Sequence, residues 1–294
     1  MCQIQKTLPL ILFMLITSCS SNTNYKPKEL NPNKTYDDVY LIMGQSNASG
    51  ISEQKHLATK DPEMYQKYSQ ENSKVLISYD CDERIQKDFM PVKFGYGHDE
   101  NCFGPEIGIT ESLKEKETTQ YIIKATWSGS CLQNQYIDKN GKKYELYKRF
   151  IHFIKGQLET LTKQGKNPRL RGVFWMQGES DSFLLNYNYK PASLQFFNNL
   201  RRDLNKWIYE YFNIVDAYIF TRGTYWPKPE IINACKQELA DENEHWYCIK
   251  TNGEDENAIK LYLKSETGED EDLAHYDSKS MLLLGKTAGE YLLK

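Results

Sequence analysis

Short apolar runs alternate with longer stretches of helical periodicity along most of the chain. Between the runs, apolar residues recur every three or four positions, which predicts long amphipathic helices. Strands that alternate with long helices favour a parallel sheet covered on both faces, joined by right-handed crossovers. The sequence therefore predicts an α/β fold with about five parallel strands, at residues 39–43, 121–126, 171–176, 215–220 and 245–249.

The helical pattern is strongest in three segments, at 144–163, 191–208 and 278–293, and Pro105 favours a further helix start. Residues 51–103 are instead polar and irregular, which predicts a long excursion over the functional site, with short helices. The chain shows no domain-splitting linker after Lys34 and no internal repeat. We therefore expect residues 35–294 to form a single domain.

The first residues do not belong to this domain. Lys6 precedes an apolar run at 8–16 that has the length of a signal peptide. The sequence Ile16-Thr-Ser-Cys19 resembles the lipobox of bacterial lipoproteins, which implies cleavage after residue 18 and lipid attachment at Cys19. Residues 19–34 read as a flexible tether. We expect an exported lipoprotein anchored at a periplasmic or cell-surface membrane face. An ordinary secretory signal with a chance cysteine is the alternative.

Composition narrows the function classes. The 37 basic and 40 acidic side chains give a net charge of −3, so there is no electrostatic case for nucleic acid. Aromatic residues make up 13% of the chain, a faint hint of surfaces that stack on sugars. The chain has no Cys-x-x-Cys motif, and we expect neither a metal nor a cofactor. An exported protein permits disulfides, and the possible short ones are Cys81–Cys102 and Cys235–Cys248.

A serine follows the first predicted strand, in the sequence Gly44-Gln-Ser-Asn47. Open α/β sheets build their sites outside the carboxyl ends of their strands. A serine that opens a helix there presents its hydroxyl, and its backbone N–H is available to an oxyanion. We interpret Ser46 as a nucleophile. The alternative is that Ser46 merely caps a helix.

A serine nucleophile needs a base and a group that orients this base. His275 lies in a loop that enters the last predicted helix, and Asp272 precedes it by three residues. This spacing can place the carboxylate against Nδ1 and leave Nε2 free to accept the serine proton. The alternative is a solvated acidic run, in which residues 269–271 supply competing carboxylates.

Donors for an oxyanion are also present. Gln177 follows the third predicted strand, and its amide can donate hydrogen bonds at every working pH. Gly104 offers a backbone N–H close to a helix start, without a side chain to block an acyl group. The alternatives are a polar turn in which Asp181 caps a helix, and a simple helix entry at Gly104.

Four blocks together resemble one family. They are Gly44-Gln-Ser-Asn47, Gly104-Pro-Glu106, Trp175-Met-Gln-Gly-Glu-Ser-Asp181 and Asp272-x-x-His275. Their order is that of SGNH-type esterases, and they look most like the sialate O-acetylesterase group, which includes the acetylxylan esterases of carbohydrate esterase family 6.

The resemblance implies a three-layer, flavodoxin-like α/β/α fold that removes O-acetyl groups from sugars without a metal. Ser46 would be the nucleophile, His275 the base and Asp272 the group that orients it. The oxyanion hole would combine the Ser46 N–H, the Gly104 N–H and the Gln177 side chain. Supporting roles would fall to Gln45, Asn47, Glu179 and Asp181.

Two positions depart from the family pattern. Ala48 stands where methionine is frequent, and Ser128-Gly-Ser130 replaces a common Gly-Gly-Thr. The expected substrate is an O-acetylated oligosaccharide or polysaccharide. An SGNH esterase or thioesterase for non-sugar acyl esters is one alternative, and a glycan-binding lipoprotein without turnover is another.

Overall fold

The structure is a computed structural model that describes residues 27–184, 188–221 and 225–294. The predicted signal peptide, Cys19 and the first part of the predicted tether lie outside the described residues. Within those that are described, no helix is both long and apolar enough to cross a bilayer.

Strands and helices alternate as the sequence predicts, with more strands than expected. The strands are β1 (Asp37–Gly44), β2 (Ser52–Glu53), β3 (Asn72–Cys81), β4 (Arg84–Val92), β5 (Cys102–Phe103), β6 (Gln120–Thr126), β7 (Pro168–Met176), β8 (Ile208–Ala217) and β9 (Trp246–Ile249). The helices are α1 (Ser46–Ser49), α2 (Gln54–Lys60), α3 (Pro62–Tyr68), α4 (Glu106–Leu113), α5 (Glu145–Lys163), α6 (Tyr189–Asp203), α7 (Pro229–Glu242), α8 (Lys264–Thr267) and α9 (Ser278–Leu292).

The main sheet has seven strands in the order β4-β3-β6-β1-β7-β8-β9. Six of them run parallel, and β4 pairs antiparallel with β3 at one edge. The predicted α/β class is confirmed. The excursion adds β3 and β4 to this sheet, which the sequence did not predict. β3 contains only a short apolar run at 75–77, and β4 is partly exposed and has no apolar run.

Helices cover both faces of the sheet. Neighbouring residues of a strand point to opposite faces, so Gly172 and Trp175 of β7 face different layers. The Trp175 ring packs 4.6 Å from the Phe196 ring of α6. A side chain at Gly172 would instead meet Leu292 of α9. The sheet therefore lies between two helical layers.

Several predicted boundaries differ from the structure. The strand predicted at 215–220 begins at Ile208 and ends at Ala217. The helix predicted at 191–208 ends at Asp203, and Ile208 already begins β8, since its β-branched and aromatic neighbours favour a strand. The prediction that His245 lies within the fifth strand is wrong. His245 takes a left-handed φ of 60°, which ends the loop before β9.

The five cysteines of the predicted domain are all unpaired. Cys81 lies at the end of β3, and its thiol approaches the carbonyl oxygens of Ser49 and Gly97. The Cys102 thiol instead faces the carbonyl oxygen of Ile51. Neither of the two short disulfides considered from the sequence is formed.

Candidate active site

The serine follows the central strand at the edge where the neighbouring strands also end. Gly44, the last residue of β1, pairs with Thr126 of β6 on one side and with Met176 of β7 on the other. Gly44 has a φ of +140°, and a Cβ there would lie 1.9 Å from the Met176 carbonyl oxygen. Glycine is therefore required for the turn that begins α1. Ser46 is the first residue of this helix and is 5% exposed.

Asn47 joins this helix to the loop that carries His275. Its Nδ2 donates to the carbonyl oxygen of Ala274 at 3.3 Å, and its Oδ1 accepts from the backbone N–H of Tyr276 at 3.3 Å. Nδ2 also donates to Glu179 Oε1 at 3.0 Å. The residue after the serine thus contacts both neighbours of the histidine, so the structure brings Ser46, Asn47, Glu179 and His275 to one place.

Asp272 is paired with His275. The distance between Asp272 Oδ2 and His275 Nδ1 is 2.6 Å, and Asp272 Oδ1 accepts from the Ala274 N–H at 2.7 Å. Burial raises the pKa of Asp272, but the hydrogen bond and positive charge of His275 outweigh burial and lower that pKa to about 2. The carboxylate is therefore charged across the physiological pH range.

The turn after β7 forms a buried amide and carboxylate network. Gln177 Nε2 donates to Asp181 Oδ2 at 2.5 Å and to the Ser130 carbonyl oxygen at 3.1 Å. Asp181 also accepts from the backbone N–H of Leu132 at 2.8 Å. Gln45 Oε1 accepts from the Ser180 N–H at 3.2 Å, which ties the turn to the serine helix. The amide hydrogens of Gln177 thus already have acceptors within the protein.

Gly104 lies against the same helix and is held by a buried ion pair. Its N–H donates to Glu106 Oε1 at 2.8 Å, while Glu106 Oε2 lies 2.8 Å from Lys124 Nζ. Lys124 Nζ also donates to the Ser49 carbonyl oxygen, the last residue of α1, at 2.7 Å. Both charged side chains are fully buried. The sequence analysis did not predict this pair. A lysine in the middle of the apolar β6 run nevertheless indicates a buried ion pair, because lysine is rarely fully buried without an acidic partner.

A second aspartate–histidine pair lies at the same edge of the sheet. Asp82 Oδ2 is 2.7 Å from His98 Nδ1, and the Asp82 carboxylate also accepts from the N–H and hydroxyl of Ser128. The backbone N–H of His98 donates to the Gly50 carbonyl oxygen at 2.9 Å, directly after α1. The sequence gives no signal for this pair, because Asp82 and His98 lie in different loops of the excursion.

No cluster of three or more His, Cys, Asp or Glu side chains suited to a metal occurs in residues 27–184, 188–221 or 225–294.

Solved structures share this fold. A protein from Arabidopsis thaliana superposes with a TM-score of 0.63 at 16% identity, over 88% of this chain and 98% of that one. The protein NanS superposes with a TM-score of 0.57, also at 16% identity, over 88% of this chain and 97% of its own. No curated protein matches the chain in sequence at a significant level.

The sheet is mostly parallel, and a serine and an aspartate–histidine pair lie at its carboxyl edge. This arrangement is that of an SGNH-type α/β hydrolase. Residues 36–294 match the family described as "Carbohydrate esterase, sialic acid-specific acetylesterase". The chain belongs to this family of carbohydrate esterases. It is therefore a carboxylic ester hydrolase that acts on the acetyl groups of carbohydrates.

Proposed function

We propose that the protein removes O-acetyl groups from carbohydrates with Ser46 as nucleophile, His275 as base and Asp272 as the group that orients the base. The observation that carries this proposal is the clamp formed by Asn47. Its side-chain amide binds the backbone on both sides of His275, so the residue after the serine is fixed to the histidine loop. Asp272 then fixes the imidazole through Nδ1.

The reaction follows from these roles. His275 Nε2 accepts the Ser46 proton as Oγ attacks the acetyl carbonyl carbon, and a tetrahedral oxyanion forms. The imidazolium then protonates the sugar oxygen, the acyl C–O bond breaks, and acetyl-Ser46 is left. Water attacks this ester in the same way, with His275 again as base, and acetate leaves. General-base assistance of this kind contributes about 10²–10⁴ in rate.

The backbone N–H of Ser46 is the oxyanion donor with the clearest support, because the first turn of a helix provides no acceptor for it. We also propose the Gly104 N–H and the Gln177 side-chain amide as donors to the oxyanion. Each of them has an internal acceptor, Glu106 for Gly104 and Asp181 with Ser130 for Gln177. A contribution from either group therefore requires that it share its hydrogen with the oxyanion.

The substrate class is proposed from the family. An O-acetylated oligosaccharide or polysaccharide is the expected substrate, and no metal or cofactor enters the mechanism. The alternative, an esterase or thioesterase for non-sugar acyl chains, would prefer octanoyl to acetyl esters. Acetate release from a panel of acetylated polysaccharides, alongside aryl acetate and aryl octanoate, separates the two.

The test of the nucleophile is Ser46→Ala, with Ser49→Ala as its matched control. Ser49 lies on the same helix, and its buried hydroxyl has no hydrogen-bond partner among the described residues, so its removal should cost little. We expect Ser46→Ala to lose hydrolysis of an aryl acetate by at least about 10³-fold, with an unchanged circular dichroism spectrum. Turnover that survives in folded Ser46→Ala would remove Ser46 from the mechanism.

A further inference from the structure

Three exposed apolar side chains and one partly buried ring form a surface beside the histidine loop, here named the aromatic patch: Phe183, Tyr225, Leu273 and the partly buried Trp226. Phe183 is 48% exposed, Tyr225 62% and Leu273 48%. Such exposure of several large apolar residues in contact with one another is uncommon in folded proteins and typically marks a binding surface.

The aromatic patch is ordered by its own ring contacts. The ring centroids of Phe183 and Tyr225 are 5.4 Å apart, and those of Tyr225 and Trp226 are 5.3 Å apart with an interplanar angle of 79°. The Phe183 and Trp226 rings meet edge to face at 5.9 Å. Tilted and edge-to-face contacts at these distances are the favoured geometry for aromatic pairs. The rings are therefore held in place before any ligand arrives.

Each part of the aromatic patch is joined to the candidate active site. The backbone N–H of Tyr225 donates to the Leu273 carbonyl oxygen at 3.3 Å. Leu273 directly follows Asp272 and lies two residues before His275, so its Cα is within about 7 Å of the histidine Cα. Phe183 follows Asp181, the carboxylate that binds Gln177, by two residues. The patch thus borders the site on the side of β7 and β8.

The chemistry of this surface suits the ring of a sugar. A pyranose has apolar C–H faces and hydroxyl groups at its rim, so it can lie on an aromatic ring while its hydroxyl groups stay hydrated. A site for a long acyl chain would instead be enclosed, because an alkyl chain gains most when it is fully removed from water. The exposure of Phe183 and Tyr225 therefore favours a sugar over an acyl chain.

We propose that the aromatic patch is the binding subsite for a pyranose ring of the acetylated glycan, with the acetyl group directed toward Ser46. This inference rests on the proposed function and deepens it, since it assigns residues that bind the carbohydrate part of the substrate. The occupant is a ring of the substrate itself, so removal of the rings weakens carbohydrate binding and leaves the chemistry at the ester intact.

The kinetic test compares Tyr225→Ala and Phe183→Ala with Leu283→Ala, a 40% exposed apolar residue on α9. Two substrates are used, an acetylated oligosaccharide and ethyl acetate, which offers no ring to stack. We expect the KM for the oligosaccharide to rise about three- to tenfold in each ring variant, with kcat within twofold. Hydrolysis of ethyl acetate should be unchanged in the ring variants. The Leu283→Ala control should keep the wild-type KM for the oligosaccharide, and so should Tyr225→Phe, which retains an aromatic ring.

Equal losses on both substrates, or an unchanged KM for the oligosaccharide, would overturn the subsite. A selective loss on octanoyl esters would overturn it as well, in favour of an acyl site. Tyr225→Ala carries the test if Phe183→Ala does not fold.

A binding measurement separates this inference from the proposed function. Calorimetric titration of the oligosaccharide into Ser46→Ala, with and without Tyr225→Ala, does not depend on turnover. Weaker binding in the double variant supports the subsite even if no acetate release is found with the wild type. Equal binding, or none in either protein, contradicts it.

Discussion

Asp272 has two functions at the scale of single residues. One carboxylate oxygen accepts from the backbone N–H groups of Ala274 and His275, which shapes the loop, and the other faces the imidazole. The same side chain therefore fixes both the position and the orientation of the proposed base. Substitution of this carboxylate tests orientation apart from folding, provided that an amide keeps the loop hydrogen bonds.

Asp272→Asn is expected to lower kcat for an aryl acetate by about 10³–10⁴, because an amide at this position no longer holds the tautomer with the proton on Nδ1. The control is Glu271→Gln, which removes the neighbouring exposed carboxylate and should leave kcat unchanged. A loss of similar size in Glu271→Gln would mean that the charge of the acidic run, rather than the pair with His275, sustains activity.

The lowered pKa of Asp272 also predicts a dependence of stability on pH. Its value of about 2 in the folded protein lies below the ordinary 3.8, so the folded state binds fewer protons than the unfolded state between these values. The stabilisation is complete above about pH 4 and is lost as the pH falls toward 2. Urea unfolding should show that the free energy of unfolding falls less between about pH 4 and about pH 2 for Asp272→Asn than for the wild type. An equal fall in the two proteins would contradict a stabilising contact between Asp272 and His275.

The second pair, Asp82 and His98, allows the two histidines to be compared directly. His98 is bound to the carbonyl oxygen of Gly50, beyond the far end of the serine helix, whereas the residues around His275 are bound to Asn47. We therefore expect His98→Ala to keep aryl acetate hydrolysis within about threefold and His275→Ala to lose about 10²–10⁴. The opposite ranking would make His98 the base.

At the scale of elements, the buried pair of Lys124 and Glu106 joins β6 to the end of α1 and to the start of α4. Lys124→Met leaves the Glu106 carboxylate buried without its partner charge, and we expect the free energy of unfolding to fall by about 3–5 kcal/mol. The matched control is Lys148→Met, which breaks an exposed pair with Glu145 and should cost less than about 0.5 kcal/mol. Chemical denaturation measures both.

The double variant Lys124→Met, Glu106→Leu removes both charges from the interior. It should be more stable than Lys124→Met alone, because no uncompensated charge is left. A double variant that is less stable than the single one would show that Glu106 acts mainly through its hydrogen bond to Gly104.

The elements that the sequence predicts well are those whose apolar pattern is unmistakable. Residues 39–43 are apolar on both faces of a strand, and this pattern led directly to β1 and to the turn at Ser46. The β3–β4 hairpin was not predicted, because β4 is exposed on one face and its sequence resembles a loop. Asp82 takes a left-handed φ of 56° in the hairpin turn, but it is followed by Glu83 and not by the glycine that typically marks such a turn in a sequence.

The candidate site also combines contacts that the sequence predicts with contacts that it does not. Asp272 and His275 are three residues apart, so local geometry alone brings them together. The clamp of Asn47 on the neighbours of His275 spans 229 positions in its Tyr276 contact, and no local pattern encodes such a distance. The acceptor of the Gly104 N–H was not predicted for another reason. The Glu106 carboxylate at the start of α4 is paired with Lys124 of β6, and this contact between distant elements leaves no local pattern in the sequence.

At the scale of the whole molecule, the position of β1 explains why one site gathers groups from so many segments. This strand lies between β6 and β7, and β3 and β8 follow on either side. The loops after these strands all open at one edge, and the loop before α9 is held there by Asn47. The aromatic patch lies on the β8 side of the serine, and the pair of Asp82 and His98 lies on the β3 side.

Attachment to a membrane is a separate property, which we propose to depend on Cys19. No helix of the described residues is long and apolar enough to span a bilayer. A single acyl chain binds membranes weakly, whereas several chains on one residue anchor a protein firmly. In a bacterial host, Cys19→Ala should move the protein from the membrane fraction to the soluble fraction, while aryl acetate hydrolysis per molecule is unchanged. Cys81→Ala, which removes a buried thiol of the domain, is the control and should leave the protein in the membrane fraction; equal fractionation of Cys19→Ala and wild type would rule out the lipid anchor.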